Sequence, residues 1–267
     1  MVPHLRRSGF LLTATLLVTI GFESTGQDLS STKKPFVRTG QESTLSGTVT
    51  FTGKSPKPVK IDMSADPSCY EYDPDPKTEW FVVNNEKLAN VLVYVTSNTL
   101  DNYSFEPPTS AVELQHKACR YEPHVLGIQA RQPLMIMSGD STHHNTHPNP
   151  QNNPEWNQTQ PPGAPPIVKT FQRAEVLIPF KDNQHPWEKA YVSVFNHPFF
   201  AVSDAEGNYK IAGLPPGTYK ITVWHEKLGE KTAEIILVPG ESRYLGFAFG
   251  EADLKDYKAQ CARVRNC

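Results

Sequence analysis

The chain has 267 residues, a formal net charge of −2 at pH 7 and 20% charged residues, so neither a nucleic acid nor an anionic membrane surface is indicated as a partner. Its 24 prolines against 16 glycines favour short strands joined by long loops over helices. Four cysteines suit an oxidising compartment.

The N-terminus has the pattern of an export signal. A basic start at residues 4–7 precedes an apolar run from Gly9 to Phe22. The run is shorter than the ~20 residues that span a bilayer, and no second run of this kind follows. We therefore predict a signal peptide at residues 1–26 and a periplasmic or secreted bacterial protein with no membrane span after its removal. A buried helix or a membrane anchor is the alternative.

The segment after the signal is polar, and strand patterns follow it. Residues 27–44 carry no periodicity, which predicts a flexible leader. Gly47–Gly53 alternates apolar and polar residues as in a half-buried strand, and the denser apolar run at 91–95 predicts a strand covered on both faces. Residues 147–168, rich in Asn, Pro and Gln, predict a long surface loop. Further strands are predicted at Val125–Ala130, Leu134–Met137, Glu175–Pro179 and Tyr191–Phe195.

Two of the four cysteines lie in the predicted folded body. We predict a disulfide between Cys69 and Cys119, worth roughly 3–4 kcal/mol by loop-closure entropy. Cys261 and Cys267 lie in the charged tail, and their pairing is left open because four cysteines allow three connectivities. A body cysteine acting as a metal ligand is the alternative, although neither lies in a Cys-x-x-Cys or Cys/His cluster.

The last folded part has a run of turns and strands. The turn Asp204-Ala205-Glu206-Gly207-Asn208 is followed by the strand Tyr209-Lys210-Ile211 and then by Pro215-Pro216-Gly217-Thr218-Tyr219. This pattern resembles the carboxypeptidase regulatory-like, transthyretin-like β-sandwich. The strands near Gly47 and Val91 look like the opening strands of the same family. The resemblance implies one sandwich built from residues 45–98 and 199–249, with the middle segment inserted.

The middle segment contains two motifs in a fixed order. The first is His143-His144-Asn145-Thr146-His147, and the second is Asp182-Asn183-Gln184-His185-Pro186-Trp187-Glu188 before a predicted strand. Together they resemble cupredoxins, especially the amicyanin-like type, whose pattern is His-Asn-Val-His and then Cys-x-x-His-Pro-x-Met. The resemblance implies a cupredoxin-like Greek-key sandwich at residues 99–198, followed by a tail at 250–267. The fold class expected for the chain is therefore all-β.

The resemblance assigns the two imidazole ligands of the family's copper site to His144 and His185. Asp182 stands where the family has its cysteine and Glu188 where it has its methionine. A blue copper centre needs the thiolate, so none is expected. In one interpretation these four residues bind copper, zinc or another borderline-to-hard cation through two nitrogens and two carboxylates. In the other, the cation has been lost and they are solvated loop side chains on an intact scaffold.

The other histidines receive weaker interpretations. His143 and His147 could replace a ligand if the loop shifted. We interpret the remaining ones as structural histidines beside aromatic rings, some of them at the junction between the two sandwiches: His116, His124, His197 and His225.

The sequence contains no nucleophile elbow, His-Glu-x-x-His helix, phosphate loop or Cys/His pair. No enzyme is therefore predicted. The preferred interpretation is an exported binding or scaffold protein without type 1 copper, with an unidentified protein or polysaccharide partner. A protein binding copper or zinc through His and carboxylate ligands is the first alternative. The second is a carbohydrate-binding or cell-surface module, by analogy with the sandwich and from Trp156, Trp187 and Trp224 as exposed aromatics.

Overall fold

A computed structural model describes residues 33–254, together with Met1. The chain divides into two compact units at Thr32, and the second, from Lys33, is the one described below. The predicted signal peptide and both tail cysteines lie outside the described residues. Within them, no helix combines the length and the apolar character needed to cross a bilayer.

The described chain is built from short strands, so the all-β prediction is confirmed. It has one α-helix, α1 (Pro67–Tyr72), and two 3₁₀ turns at Asn98–Leu100 and Glu251–Leu254. The first strands are β1 (Lys34–Pro35), β2 (Ser43–Thr52), β3 (Val83–Asn84), β4 (Lys87–Leu88), β5 (Leu92–Val95), β6 (Tyr103–Ser104), β7 (Val112–His116), β8 (Tyr121–Glu122), β9 (Val125–Gln129), β10 (Pro133–Ser138) and β11 (His144–Pro148). The others are β12 (Gln158–Gln160), β13 (Ile167–Thr170), β14 (Glu175–Lys181), β15 (Lys189–Phe195), β16 (Phe200–Val202), β17 (Asn208–Leu214), β18 (Gly217–His225), β19 (Gly229–Leu237), β20 (Ser242–Tyr244) and β21 (Phe247–Gly250).

The first sandwich takes its strands from residues 43–95 and 200–250. One sheet has the order β16-β5-β18-β19, and the other has the order β17-β2-β4-β3 with β20 and β21 also paired to β2. Strand β2 buries every second residue because its apolar and polar positions alternate. The core between the sheets includes Leu45, Phe51, Val93, Tyr219 and Phe249.

The second sandwich takes its strands from residues 112–195. Its sheets have the orders β13-β10-β7-β8 and β12-β11-β14-β15-β9. The core between them includes Leu114, Ile136, Phe180 and Val192. Strand β11 pairs with β14, and β14 pairs with β15, so the loop between β14 and β15 lies at the same end of the sheet as the start of β11.

Two segments without predicted structure contain short strands. The predicted loop at 147–168 includes β12 and the start of β13, where Gln160 and Ile167 are buried. In the predicted leader, β1 pairs with β6 and Phe36 packs against Phe105 and Phe199. The sequence did not indicate these strands, because a strand of two or three residues with one or two buried side chains is too short to show periodicity.

An ion pair joins the two sandwiches. Nδ1 of His124, just before β9, donates to the carbonyl oxygen of Lys189 at 2.9 Å, and Nε2 donates to Oε1 of Glu226 at 2.8 Å. The two side chains are 12% and 6% exposed. Because both ring nitrogens face acceptors, the imidazole is positively charged in this arrangement. Burial by itself would lower the pKa of His124, but the contacts with Glu226 outweigh burial and raise it.

This ion pair predicts a pH-dependent contribution to stability. Since the pKa of His124 is raised, the contribution is full below the ordinary histidine pKa of 6.5 and is lost as the pH rises through the raised value. His124→Gln should cost about 3 kcal/mol in the free energy of unfolding at pH 6 and less at pH 9, measured by urea denaturation. His147→Gln, whose partner Glu155 is 56% exposed, is the control and should change little. A loss equal at both pH values would contradict the prediction.

The other two histidines predicted to be structural are hydrogen-bonded, and His225 is buried while His197 is half-buried. Nε2 of His197 donates to the carbonyl oxygen of Val95 at 3.2 Å. His225 packs between Phe81 and Phe249. Burial lowers the pKa of both His197 and His225 to about 4, so both are neutral at pH 7.

Candidate metal centre

The four predicted ligands come from two loops at one end of the second sandwich. His144 opens β11, while Asp182, His185 and Glu188 lie in the loop between β14 and β15. That loop is closed by its own backbone, with the Asp182 N–H donating to the Glu188 carbonyl oxygen at 3.3 Å and the Glu188 N–H donating to the His185 carbonyl oxygen at 2.8 Å. Two paired strands therefore fix the positions from which all four side chains extend.

Four side-chain atoms face one another around a common centre. Nδ1 of His144 lies 3.0 Å from Oδ2 of Asp182 and 3.1 Å from Oε2 of Glu188. Nδ1 of His185 lies 3.2 Å and 3.9 Å from the same two oxygens. The side chains are 3% exposed for His185 and 0% for the other three. The structure thus brings all four predicted residues into one buried cluster.

The outer nitrogens of both histidines are held by carboxylates that the sequence did not identify. Nε2 of His144 donates to Oδ2 of Asp140 at 3.0 Å. Nε2 of His185 donates to Oδ2 of Asp66 at 3.0 Å, across 119 residues of sequence. These contacts fix both rings with Nδ1 facing inwards. Carboxylates commonly hold metal-binding histidines in this way.

Backbone N–H groups orient the carboxylate of Asp182. Its Oδ1 accepts from the N–H groups of Gln184 at 2.7 Å and His185 at 3.0 Å. Its Oδ2, the inward atom, accepts from the N–H of Asn145 at 3.0 Å. The Asn145 side chain in turn accepts from the N–H of Asn183 at 3.4 Å. Asn145 therefore ties the two loops together.

The two carboxylate oxygens of Glu188 have different surroundings. Its Oε1 accepts from Nδ1 of His116 at 2.7 Å, and Nε2 of His116 accepts from the hydroxyl of Thr146 at 2.9 Å. Its Oε2 is buried and has no hydrogen-bond partner. The ring of His116 stacks on that of His144 with centroids 4.3 Å apart. His116 thus holds Glu188, and one of its ring nitrogens lies within 4.8 Å of ligand atoms of His144, Asp182 and Glu188.

Segment 61–73, which we call the cap, covers the cluster from the side of the first sandwich. It carries α1, with Asp66 as the N-cap residue. Asp66 also accepts from the hydroxyl of Thr142 at 2.6 Å, and the hydroxyl of Tyr72 accepts from the N–H of Ser141 at 2.8 Å. The cap therefore binds both the ligand His185 and the loop before β11.

The predicted disulfide is confirmed and lies beside the cluster. Cys69 in the cap is bonded to Cys119, and both are fully buried. The N–H groups of Ala118 and Cys119 both donate to Asp140 at 2.8 Å. The disulfide thus connects the two places from which the outer carboxylates, Asp66 and Asp140, hold the histidines.

The charge balance of the cluster is negative. Burial would lower the pKa of His144, but hydrogen bonds to Asp140 and Asp182 outweigh it and raise the pKa to about 11. Burial would also lower the pKa of His185, but the hydrogen bonds to Asp182 and Asp66 outweigh burial and raise the pKa. For Asp182 burial would raise the pKa, while hydrogen bonds from His144 and His185 lower it. The centre therefore holds positive charge, either as protons on the two rings or as a cation.

Several expectations about neighbouring residues need correction. The four central side chains are buried, so the interpretation of them as solvated loop residues is wrong. His143 is exposed, and His147 pairs with Glu155 at 2.6 Å, away from the cluster. The three tryptophans proposed as exposed aromatics are partly buried and packed: Trp156 against Phe180, Trp187 beside the disulfide and Trp224 against Tyr191.

Comparison with known families identifies one part of the chain. Residues 181–249 match the family model of the carboxypeptidase regulatory-like domain. The match begins at the end of β14 and runs to the end of β21, so it includes the ligand loop. No curated protein sequence matches this chain.

Solved structures similar to part of the chain include an amicyanin, a purple cupredoxin and a copper-containing nitrite reductase. Amicyanin of Paracoccus versutus has 18% identity and a TM-score of 0.29 over 38% of this chain and 96% of that one. A purple cupredoxin of Nitrosopumilus maritimus has 19% identity and a TM-score of 0.27 over 31% of this chain and 98% of that one. The copper-containing nitrite reductase of Thermus scotoductus has 15% identity and a TM-score of 0.30, over 34% of this chain but only 25% of that one.

Proposed function

We propose that this chain is an exported protein that binds one zinc or Cu(II) ion through His144, His185, Asp182 and Glu188, without a type 1 copper centre. The observation that carries the proposal is the buried Oε2 of Glu188, which has no hydrogen-bond partner of good geometry and lies 3.1 Å from Nδ1 of His144 and 3.9 Å from Nδ1 of His185. A buried carboxylate oxygen without a partner costs free energy. A cation at the centre would remove that cost.

The spacing of the four atoms supports a four-coordinate ion. Their neighbouring separations run 3.0, 3.2, 3.9 and 3.1 Å around the centre. Ligands bound at ~2.0–2.1 Å to a tetrahedral zinc ion lie about 3.3–3.4 Å apart. The four observed separations lie on either side of that value. Without a metal, the same convergence would have to be held by two protonated imidazoles paired with the carboxylates.

The chemistry of the ligands selects the kind of metal. Two imidazoles and two carboxylates suit zinc and Cu(II), whereas calcium and magnesium prefer six or more oxygens. The absence of a thiolate from these four residues excludes a type 1 copper centre there. Every ligand is held on its outer side by protein groups, which is typical of a closed site that stores or transfers metal. Catalysis would need an open position.

Export is supported by the apolar N-terminal run and by the confirmed disulfide, since disulfides persist in oxidising compartments. Such a compartment is where a protein that sequesters zinc or copper would meet both metals as free or loosely bound ions.

The carbohydrate-binding alternative loses support because the tryptophans that suggested it are packed against other side chains.

Metal titration of the purified oxidised protein tests the proposal. We expect one zinc or Cu(II) per chain by equilibrium dialysis, and a loss of at least 100-fold in affinity in His144→Ala and Glu188→Ala, since each removes a ligand. Asp140→Asn, which alters only the outer partner of His144, should weaken binding about 10–100-fold. His147→Ala is the matched control because His147 lies in the same strand but points to Glu155. Equal binding by the His144 and His147 variants would refute the proposal.

A further inference from the structure

The ligand loop has no sulfur, but three sulfur-containing residues lie next to it. Met63, Cys69 and Cys119 form a buried cluster against which Trp187 packs. Ligand atoms of both cysteines and of His185 lie within 4.8 Å of one another. All three of these residues are buried. A set of soft ligands thus stands beside the carboxylate site.

We propose that reduction of the Cys69–Cys119 disulfide creates a second metal site, in which the two thiolates and His185 bind Cu(I). Thiolates and thioethers are the ligands that select Cu(I) over harder cations. The Cα atoms of the two cysteines are 5.5 Å apart, so both sulfurs can face one ion without movement of the backbone. Met63, 1% exposed, brings a thioether to the same cluster. Burial of the sulfur cluster excludes water, which favours Cu(I) with its single charge over the doubly charged Cu(II).

A cavity reaches Ile61 and Trp187, which pack against the sulfur cluster. It has a volume of about 560 Å³, and its walls include Ile61 and Asp62 of the cap, Arg120 next to Cys119, and Trp187. The Arg120 guanidinium is 19% exposed. It pairs with Asp73 at 3.6 Å and with Glu79 at 4.0 Å, so carboxylates compensate its charge.

The reduction balances with a dithiol as the reductant. Its thiolate attacks one sulfur of the disulfide, forms a mixed disulfide and releases the other cysteine as a thiolate. The second thiol of the reductant then attacks the mixed disulfide, closes its own disulfide and releases the second cysteine. Two electrons and two protons reach the protein, and Cu(I) takes the place of those two thiol protons.

The two sites share one ligand. His185 belongs both to the sulfur set and to the carboxylate set, so an ion in the sulfur site removes an imidazole from the other. Filling of the sulfur site should therefore weaken zinc binding at Asp182 and Glu188. This consequence rests on the proposed function, whereas the Cu(I) site itself does not.

The experiment uses the full chain with Cys261→Ser and Cys267→Ser, so that the disulfide between Cys69 and Cys119 is the one that reacts. A phosphine reduces the protein, because a dithiol in excess would itself bind copper. Cu(I) is then titrated against a chromophoric Cu(I) chelator. We expect one tightly bound Cu(I) per reduced chain and at least 100-fold weaker binding by the oxidised chain, together with a near-ultraviolet thiolate-to-copper band.

Two variants and one control decide the result. Cys69→Ser with Cys119→Ser should bind like the oxidised chain after the same treatment, and Met63→Leu should bind several-fold more weakly than the parent. His147→Ala should bind like the parent. Equal Cu(I) binding by reduced and oxidised chains would overturn the proposal. Tight binding by a reduced chain that has lost its near-ultraviolet circular dichroism would also overturn it, because the site requires the fold to hold its ligands together.

Discussion

A protein carrying Asp182→Cys and Glu188→Met should turn intensely blue on addition of Cu(II). The two histidines already present Nδ1 towards the centre, with Asp182 and Glu188 on the remaining sides. Cysteine and methionine at these positions would supply the thiolate and the weak thioether that define a blue copper site. Visible absorption and electron paramagnetic resonance of the copper-loaded variant measure the outcome.

The single variants show which ligand produces the colour. Asp182→Cys alone should give a strongly coloured copper–thiolate complex, whereas Glu188→Met alone should give none, because the thiolate produces the colour. The wild type, titrated in parallel, should stay pale. A count of free thiols is required, since the new cysteine lies near the Cys69–Cys119 disulfide and could exchange with it. A colourless double variant in which the introduced thiol is free would show that the four positions do not share one metal.

Loss of the Asp182 carboxylate should strongly destabilise the metal-free protein. The side chain is fully buried and accepts from two imidazoles and three backbone N–H groups. Because Asp182→Ala leaves buried positive charge without its partner, we expect a loss of about 3–5 kcal/mol in the free energy of unfolding. Its pKa is lowered from 3.8, so the contribution is present above that pH and is lost as the pH falls through the folded value.

Two comparisons separate charge from hydrogen bonding. Asp182→Asn keeps one acceptor oxygen and should lose less than Asp182→Ala. Asp204→Ala removes an exposed aspartate that accepts from two backbone N–H groups in a turn, so it should cost only about 1 kcal/mol. Urea denaturation at pH 7 gives all three values. Equal losses in Asp182→Ala and Asp204→Ala would mean that the central cluster contributes no more than a surface turn.

Local patterns in the sequence predicted the strands that form the two cores. The alternation at Gly47–Gly53 and the apolar run at 91–95 both lie within or next to observed strands. The two ordered motifs predicted four residues that do come together. Such predictions succeed where a period of two or a motif with fixed spacing is present in one short segment.

The surroundings of the site could not be predicted in the same way. Asp66 reaches His185 from a cap that belongs to the other half of the chain, and no local pattern connects them. Strand β7 does alternate, so burial of His116 beside Leu114 was predictable, but its contact with Glu188, 72 residues away, was not. Long-range contacts between single polar side chains depend on the packing of the two sandwiches.

Zinc K-edge X-ray absorption of the zinc-loaded, oxidised protein tests the central claim most directly. The spectrum reports the element, number and distance of the atoms bound to the zinc ion. We predict two imidazole nitrogens and two carboxylate oxygens at about 2.0–2.1 Å and no sulfur, with one imidazole lost in His185→Ala. A shell of six oxygens, or a spectrum unchanged by His185→Ala, would show that the ion binds elsewhere and that the buried cluster is held together by protons alone.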